Sequence, residues 1–225
     1  ITVTDVNEAP TEVALSATAI DENAAGAVVG TLSTSDVDAG DTHTYELSGT
    51  DAASFEVVNG QLKLIDSVTA NYETQSSYSV TVTATDSGSL TTTEDFTVNV
   101  NNLNDAPTLV NAIADQNVDE DSTLSFTVPA DAFNDEDGDT LTYTATLSDG
   151  SALPSWLSFD AATQTFSGTP LNGDVGAINV TVTATDTADL AVNDTFTITV
   201  ANTNDDPTVA NAIADQSVDE DSAFS

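Results

Sequence analysis

Text that returns after about one hundred residues sets the strongest constraint on this chain. Asn104-Asp105-Ala106-Pro107 opens a stretch that continues through Asn111 to Gln116 and Val118 to Ser122. The same text returns from Asn204-Asp205-Asp206-Pro207, through Asn211 to Gln216 and Val218 to Ser222. A looser copy, Asp5-Val6-Asn7-Glu8-Ala9-Pro10, stands near the start. A period of that size is one sandwich-sized domain and far exceeds a solenoid repeat. It divides the chain into the end of a preceding repeat at 1–7, a first unit at 8–104, a second at 105–204 and the start of a third at 205–225. The chain therefore reads as a piece of a longer array, and the lack of a signal peptide carries no weight.

Within each unit the apolar period is two. Tyr78, Val80, Val82 and Ala84 alternate with Ser79, Thr81, Thr83 and Thr85, the pattern of a strand with one buried face. Residues 80–86 and 180–186 are identical. Phe96, Val98 and Val100 alternate likewise, as do Phe196, Ile198 and Val200. Further strands are expected near 28–32, 42–47, 61–65, 123–128 and 141–147, rich in the threonine and valine that a pleated surface favours. Asn59-Gly60 between two apolar pairs predicts a tight hairpin. Short strands with turn signals and no amphipathic helix predict an all-β protein of two tandem Greek-key β-sandwiches.

Charge narrows the partners. The chain has 38 acidic residues and one Lys or Arg, Lys63, giving a net charge of −37. Nothing in it can neutralise phosphates, which argues against nucleic acid and anionic membranes. No apolar window is long enough to insert into a bilayer. Cysteine is absent, so disulfides and thiolate metal sites are excluded. One histidine, one lysine and no arginine leave little catalytic equipment, and the chain reads as a non-enzyme. His43 is read as a strand-surface residue, Lys63 as a surface charge on a hairpin, and Trp156, the sole tryptophan, as a core plug.

The acids are patterned. Asp21-Glu22-Asn23 is matched by Asp119-Glu120-Asp121, and Asp36-Val37-Asp38 with Asp41 by Asp135-Glu136-Asp137 with Asp139. Asp86 and Asp186 end equivalent threonine strands, and the linkers carry Asn7-Glu8 and Asn104-Asp105. Calcium takes six to eight oxygen ligands, which such clusters supply. They are not EF-hands: with Gly138 as the sixth loop residue, Phe133 and Thr144 fall at ligand positions that neither can fill.

With Asp21-Glu22-Asn23, Val28-Val29-Gly30, Asp36-x-Asp38, Tyr72-Glu73, Ala84-Thr85-Asp86 and the Asn102-Leu103-Asn104-Asp105 linker, the first unit resembles a cadherin repeat of bacterial surface proteins. The second resembles the dystroglycan-type cadherin-like variant, through Leu153-Pro154-Ser155-Trp156-Leu157 and Phe166-Ser167-Gly168-Thr169-Pro170. That resemblance implies cadherin/immunoglobulin-like sandwiches set end to end as a rod, with Ca2+ at the joints. At the central joint it implies Glu22, Glu73, Asn102, Leu103, Asn104, Asp105, Asp135, Asp137 and Asp186 as ligands. Asp36, Asp38 and Asp86, with Asp5, Asn7 and Glu8, would serve the joint to a preceding repeat. The linker is one residue shorter than the family pattern, Asn71 replaces an aspartate, and the second unit lacks a Tyr-Glu pair, so fewer than three ions are expected at the central joint.

The implied function is calcium-stiffened adhesion, extracellular or at a cell surface. The implied partners are neighbouring repeats of the chain, a second copy through homophilic association, or polysaccharide. The alternative function is a carbohydrate-binding module.

Overall fold

A computed structural model describes the chain apart from residues 1, 3, 5, 222, 224 and 225. It contains two compact units, Ile1–Ala106 with Asp135–Asp139, and Pro107–Asn134 with Thr140–Ser225. Asp5, expected as a ligand, lies outside the described residues. Among the described residues no helix is long and apolar enough to cross a membrane.

The first unit has β1 (Glu12–Leu15), β2 (Ala19–Asp21), β3 (Val28–Ser35), β4 (Thr44–Ser48), β5 (Phe55–Val58), β6 (Gln61–Leu64), β7 (Ser77–Thr85) and β8 (Thr91–Asn101). They form two sheets, ordered β1-β3-β6-β5 and β2-β8-β7-β4. The alternation in β7 is realised: Tyr78, Val80, Val82 and Ala84 are buried. They pack with Val29, Leu32, Leu62 and Leu64 of the other sheet in one core. Asn59 and Gly60 adopt φ of 51° and 77°, the left-handed pair a two-residue hairpin needs between twisted strands. Lys63, on β6, is held by Glu56 at 3.3 Å and Asp66 at 2.6 Å.

Pairing fixes what gathers at each pole. β2 runs parallel to β8 with Asp21 opposite Asn101, so Glu22 emerges beside the linker. β7 is antiparallel to β8 with Ser77 opposite Asn99, so the 71–75 turn arrives at the same end. At the other end Thr85 faces both Thr91 and Thr44, which brings Asp86 and the 36–43 loop together.

The second unit has β9 (Thr108–Leu109), β10 (Gln116–Asp119), β11 (Leu124–Thr127), β12 (Phe133–Asn134), β13 (Thr142–Leu147), β14 (Leu157–Asp160), β15 (Thr165–Gly168), β16 (Gly176–Thr185) and β17 (Ala191–Ala201). Its sheets are ordered β10-β17-β16-β13, β11-β15-β14 and β12-β9. The core is more aromatic: Phe166 lies 4.6 Å from Phe159 and 5.7 Å from Phe196, centroid to centroid. Trp156 is half-buried against this core, as expected of a plug. Residues 204–221 are exposed and carry no strand.

Candidate metal centre

The acidic motifs meet in space. Carboxylate oxygens of Glu22, Glu73 and Asp105 lie within 4.8 Å of one another at the linker pole of the first unit. Glu22 is 1% exposed. Its Oε2 accepts from the Tyr72 amide at 2.6 Å and its Oε1 from the Leu103 amide at 2.7 Å. These bonds clamp the turn and the linker onto one carboxylate. Asn71 accepts from the Thr74 amide at 2.7 Å and donates to Glu136 at 2.7 Å. Asn71 is thus a turn former that also steadies a neighbouring acid.

Asp105 receives Asn23 Nδ2 on Oδ1 at 2.9 Å, and its amide donates to Asp137 at 2.7 Å. Desolvation, then the neighbouring Glu22 charge, pushes its carboxyl above the ordinary range. Glu73 is pushed up in the same direction, first by desolvation and then by Glu22, Asp137 and Glu136. Asp135 is buried; its Oδ1 accepts from the Asp139 amide at 3.1 Å. Asn102, Leu103 and Asn104 are exposed on the linker.

A second cluster, Asp36, Asp41 and Asp86, fills the opposite pole with oxygens again within 4.8 Å. Asp86 accepts from the Leu90 amide at 2.8 Å and from Asn7 at 3.0 Å. Asp38 accepts from the Glu8 amide at 2.8 Å. The linker residues Asn7 and Glu8 therefore lie beside Asp86 and Asp38. His43 does not lie on an open strand face as the sequence reading held. It is half-buried, with Nε2 3.0 Å from Asp36 Oδ2, because the 36–43 loop folds back on itself. The Asp36 carboxyl is held below its ordinary range by the Asp38 amide and then by His43.

Two groups were missed among the candidate ligands. Asp41 completes the second cluster. Glu120 is the second unit's copy of Glu22: it is 1% exposed and accepts from the Thr203 amide at 2.7 Å. Both stood in the recurring motifs, so matching the repeats position by position would have found them. Asp186, in the second unit, is buried and ties the Ala188 and Leu190 amides at 2.8 Å; Asp86 ties the equivalent Leu90 amide in the first.

The donor set suits a hard cation. Among the described residues, the buried side-chain oxygens with no hydrogen-bond partner are Asp41 Oδ2, Asp105 Oδ2, Glu120 Oε2 and Asp135 Oδ2. All four belong to the recurring acidic motifs. A buried carboxylate oxygen without a partner is costly.

Comparison with known proteins agrees with this architecture. Residues 106–201 match the model of a family described as "Putative Ig domain". A serine-rich adhesin for platelets from Staphylococcus aureus strain MRSA252 is 37% identical over 118 residues, covering 52% of this chain and 8% of the adhesin. The chain thus spans less than a tenth of that relative. Among solved structures, the extracellular cadherin domains 1–5 of protocadherin gamma B2 superpose with a TM-score of 0.60 at 21% identity, over 89% of this chain and 42% of that one. Human protocadherin-24 EC1-2 gives 0.63 at 19% identity, over 88% of this chain and 100% of that one. The fold is cadherin-like and immunoglobulin-like.

Proposed function

We propose that this chain is a pair of calcium-binding repeats of an extracellular, adhesion-type surface protein, with no enzymatic activity. The observation that carries this reading is that, among the described residues, the orphaned buried oxygens belong to Asp41, Asp105, Glu120 and Asp135. A divalent cation would satisfy them and cancel the repulsion among Glu22, Glu73 and Asp105. Glu22, Glu73, Asp105, Asp135 and Asp137, with linker oxygens of Asn102, Leu103 and Asn104, would hold ions at the linker pole. Asp186 would contribute from the second repeat. Asp36, Asp38, Asp41 and Asp86, with Asn7 and Glu8, would hold ions at the other pole, where Asp5 is an added candidate.

The proposed mechanism is mechanical. The 135–139 loop lies between β12 and β13 of the second repeat, so ions shared with it restrain the joint. Repeated along an array, such restraint makes a stiff rod that presents a binding surface away from the cell. The 37% identity to a surface adhesin supports the adhesion reading. Extracellular modules bind calcium at about 10⁻⁴–10⁻³ M.

Small-angle scattering with millimolar calcium and with chelator, beside a calorimetric titration, tests the proposal. Calcium binding with a longer, stiffer particle is the expected result. Binding without a change of shape would remove the rod, and no binding would remove the calcium sites as well.

A further inference from the structure

The second unit leaves the β13 edge unguarded. β13 pairs with β16 over six consecutive residues without a bulge and, among the described residues, has no strand on its other side. The Leu147 amide bonds the Ser151 carbonyl in the adjoining turn, whereas the Ser148 amide bonds Asn179 beside β16. Backbone groups alternate in direction along an antiparallel strand, so those of Tyr143 and Ala145 point outward with Leu147. A groove of about 610 Å3 runs along this edge, lined by Tyr143, Thr144, Ala145, Thr146, Leu153 and Phe159 among others. None of its lining residues is charged.

The first unit shows what is missing. By register against the equivalent partner strand, Tyr45, Glu46 and Leu47 of β4 correspond to Tyr143, Thr144 and Ala145. The exposed carboxylate of Glu46 becomes a hydroxyl, and a leucine packed against the core becomes an alanine. Proteins normally protect an edge with a charge, a proline or a bulge, and β13 has none.

We infer that β13 is a docking edge for an extended polypeptide strand flanked by basic residues, which would add beside Tyr143 and Ala145. Outward amides and carbonyls would supply the ladder, and the groove would take alternate small apolar side chains. The charge balance selects the occupant. The chain carries −37, and its second unit contains no lysine, arginine or histidine, so a second copy is repelled and a cationic chain attracted. This inference does not rest on the calcium sites.

The test is an NMR titration of the whole chain with a short peptide of alternating threonine and valine between lysine pairs, in calcium and in chelator. Saturable shifts at the Tyr143 and Ala145 amides are expected in both conditions. Ala145→Pro removes an outward amide and should weaken binding about tenfold or more, as should N-methylation of alternate peptide amides, which leaves the protein untouched. Unchanged binding after N-methylation would overturn the inference. So would shifts confined to other residues, shifts at β13 on raising protein concentration alone, or the same shifts with a neutral oligosaccharide.

Discussion

Glu22 and Glu120 are glutamates buried to 1% exposure, each accepting a linker amide, yet only Glu120 keeps a free oxygen. The difference is Tyr72, whose amide occupies Glu22 Oε2. Glu22→Gln removes the charge and also one acceptor, setting an N–H against the Tyr72 or the Leu103 amide, so calcium affinity should fall about tenfold or more and the metal-free melting midpoint should fall as well; calorimetry checks both. The raised carboxyls of Asp105 and Glu73 fix a sign for pH. The folded chain holds these protons more tightly than the unfolded chain. Their contribution to metal-free stability is complete below the ordinary carboxylate range and is lost as pH rises through the raised values. Calcium needs the ionised forms, so its affinity should climb over that window, with protons released on binding. Titrations in two buffers of different ionisation enthalpy read that release directly, and identical heats would contradict it. Asp36, held low, works in the opposite sense and loses its contribution on acidification.

At the scale of elements, closeness of backbones decides what the sandwich tolerates. A Cβ on Gly168 would collide with the Trp156 carbonyl, since β14 and β15 close directly after the Trp156 turn. Gly168→Ala should therefore cost more stability than its single methyl suggests, read as a fall in denaturation midpoint. Phe166, fully buried among Phe126, Phe159 and Phe196, is the larger test: Phe166→Ala should cost about 3–5 kcal/mol. Strands were legible where alternation was long, as in β7, β8, β16 and β17. The short β1, β2, β9, β10, β12, β14 and β15 were not foreseen, because a few residues show no period and the strands exist through their partners. One example is decisive. Gln116–Asp119 is a strand because β17 lies beside it, with Ile113 and Val118 buried at 5% and 8%. The nearly identical text at 211–219 has no neighbouring strand, and Ile213 and Val218 are 94% and 50% exposed.

For the whole molecule, a charge of −37 with one lysine makes self-repulsion the dominant electrostatic fact. Monovalent salt screens such repulsion over a Debye length of about 8–10 Å, whereas a coordinated cation removes it locally. Millimolar calcium should therefore raise the melting temperature well beyond sodium chloride of equal ionic strength, and chelator should reverse the gain. Equal effects of the two salts would mean that the carboxylates are only screened. Asp135→Ala with Asp137→Ala should abolish most of the calcium-specific part while leaving both cores folded, a split visible by calorimetry.

The sequence by itself determined the β class, the repeat length, the identity of the long strands and the positions of the acidic motifs. Those follow from local periodicity and from charges that recur in register. Only the tertiary structure decided which acids converge. Glu22, Glu73 and Asp105 are far apart along the chain and meet because β2 runs parallel to β8 while β7 returns antiparallel. It also decided which oxygens stay unpaired, that His43 turns in to Asp36, and that β13 keeps a bare edge while its counterpart carries Glu46. The His43 contact is made within the 36–43 loop, but the others depend on how strands pair across long separations, and no local pattern encodes that pairing.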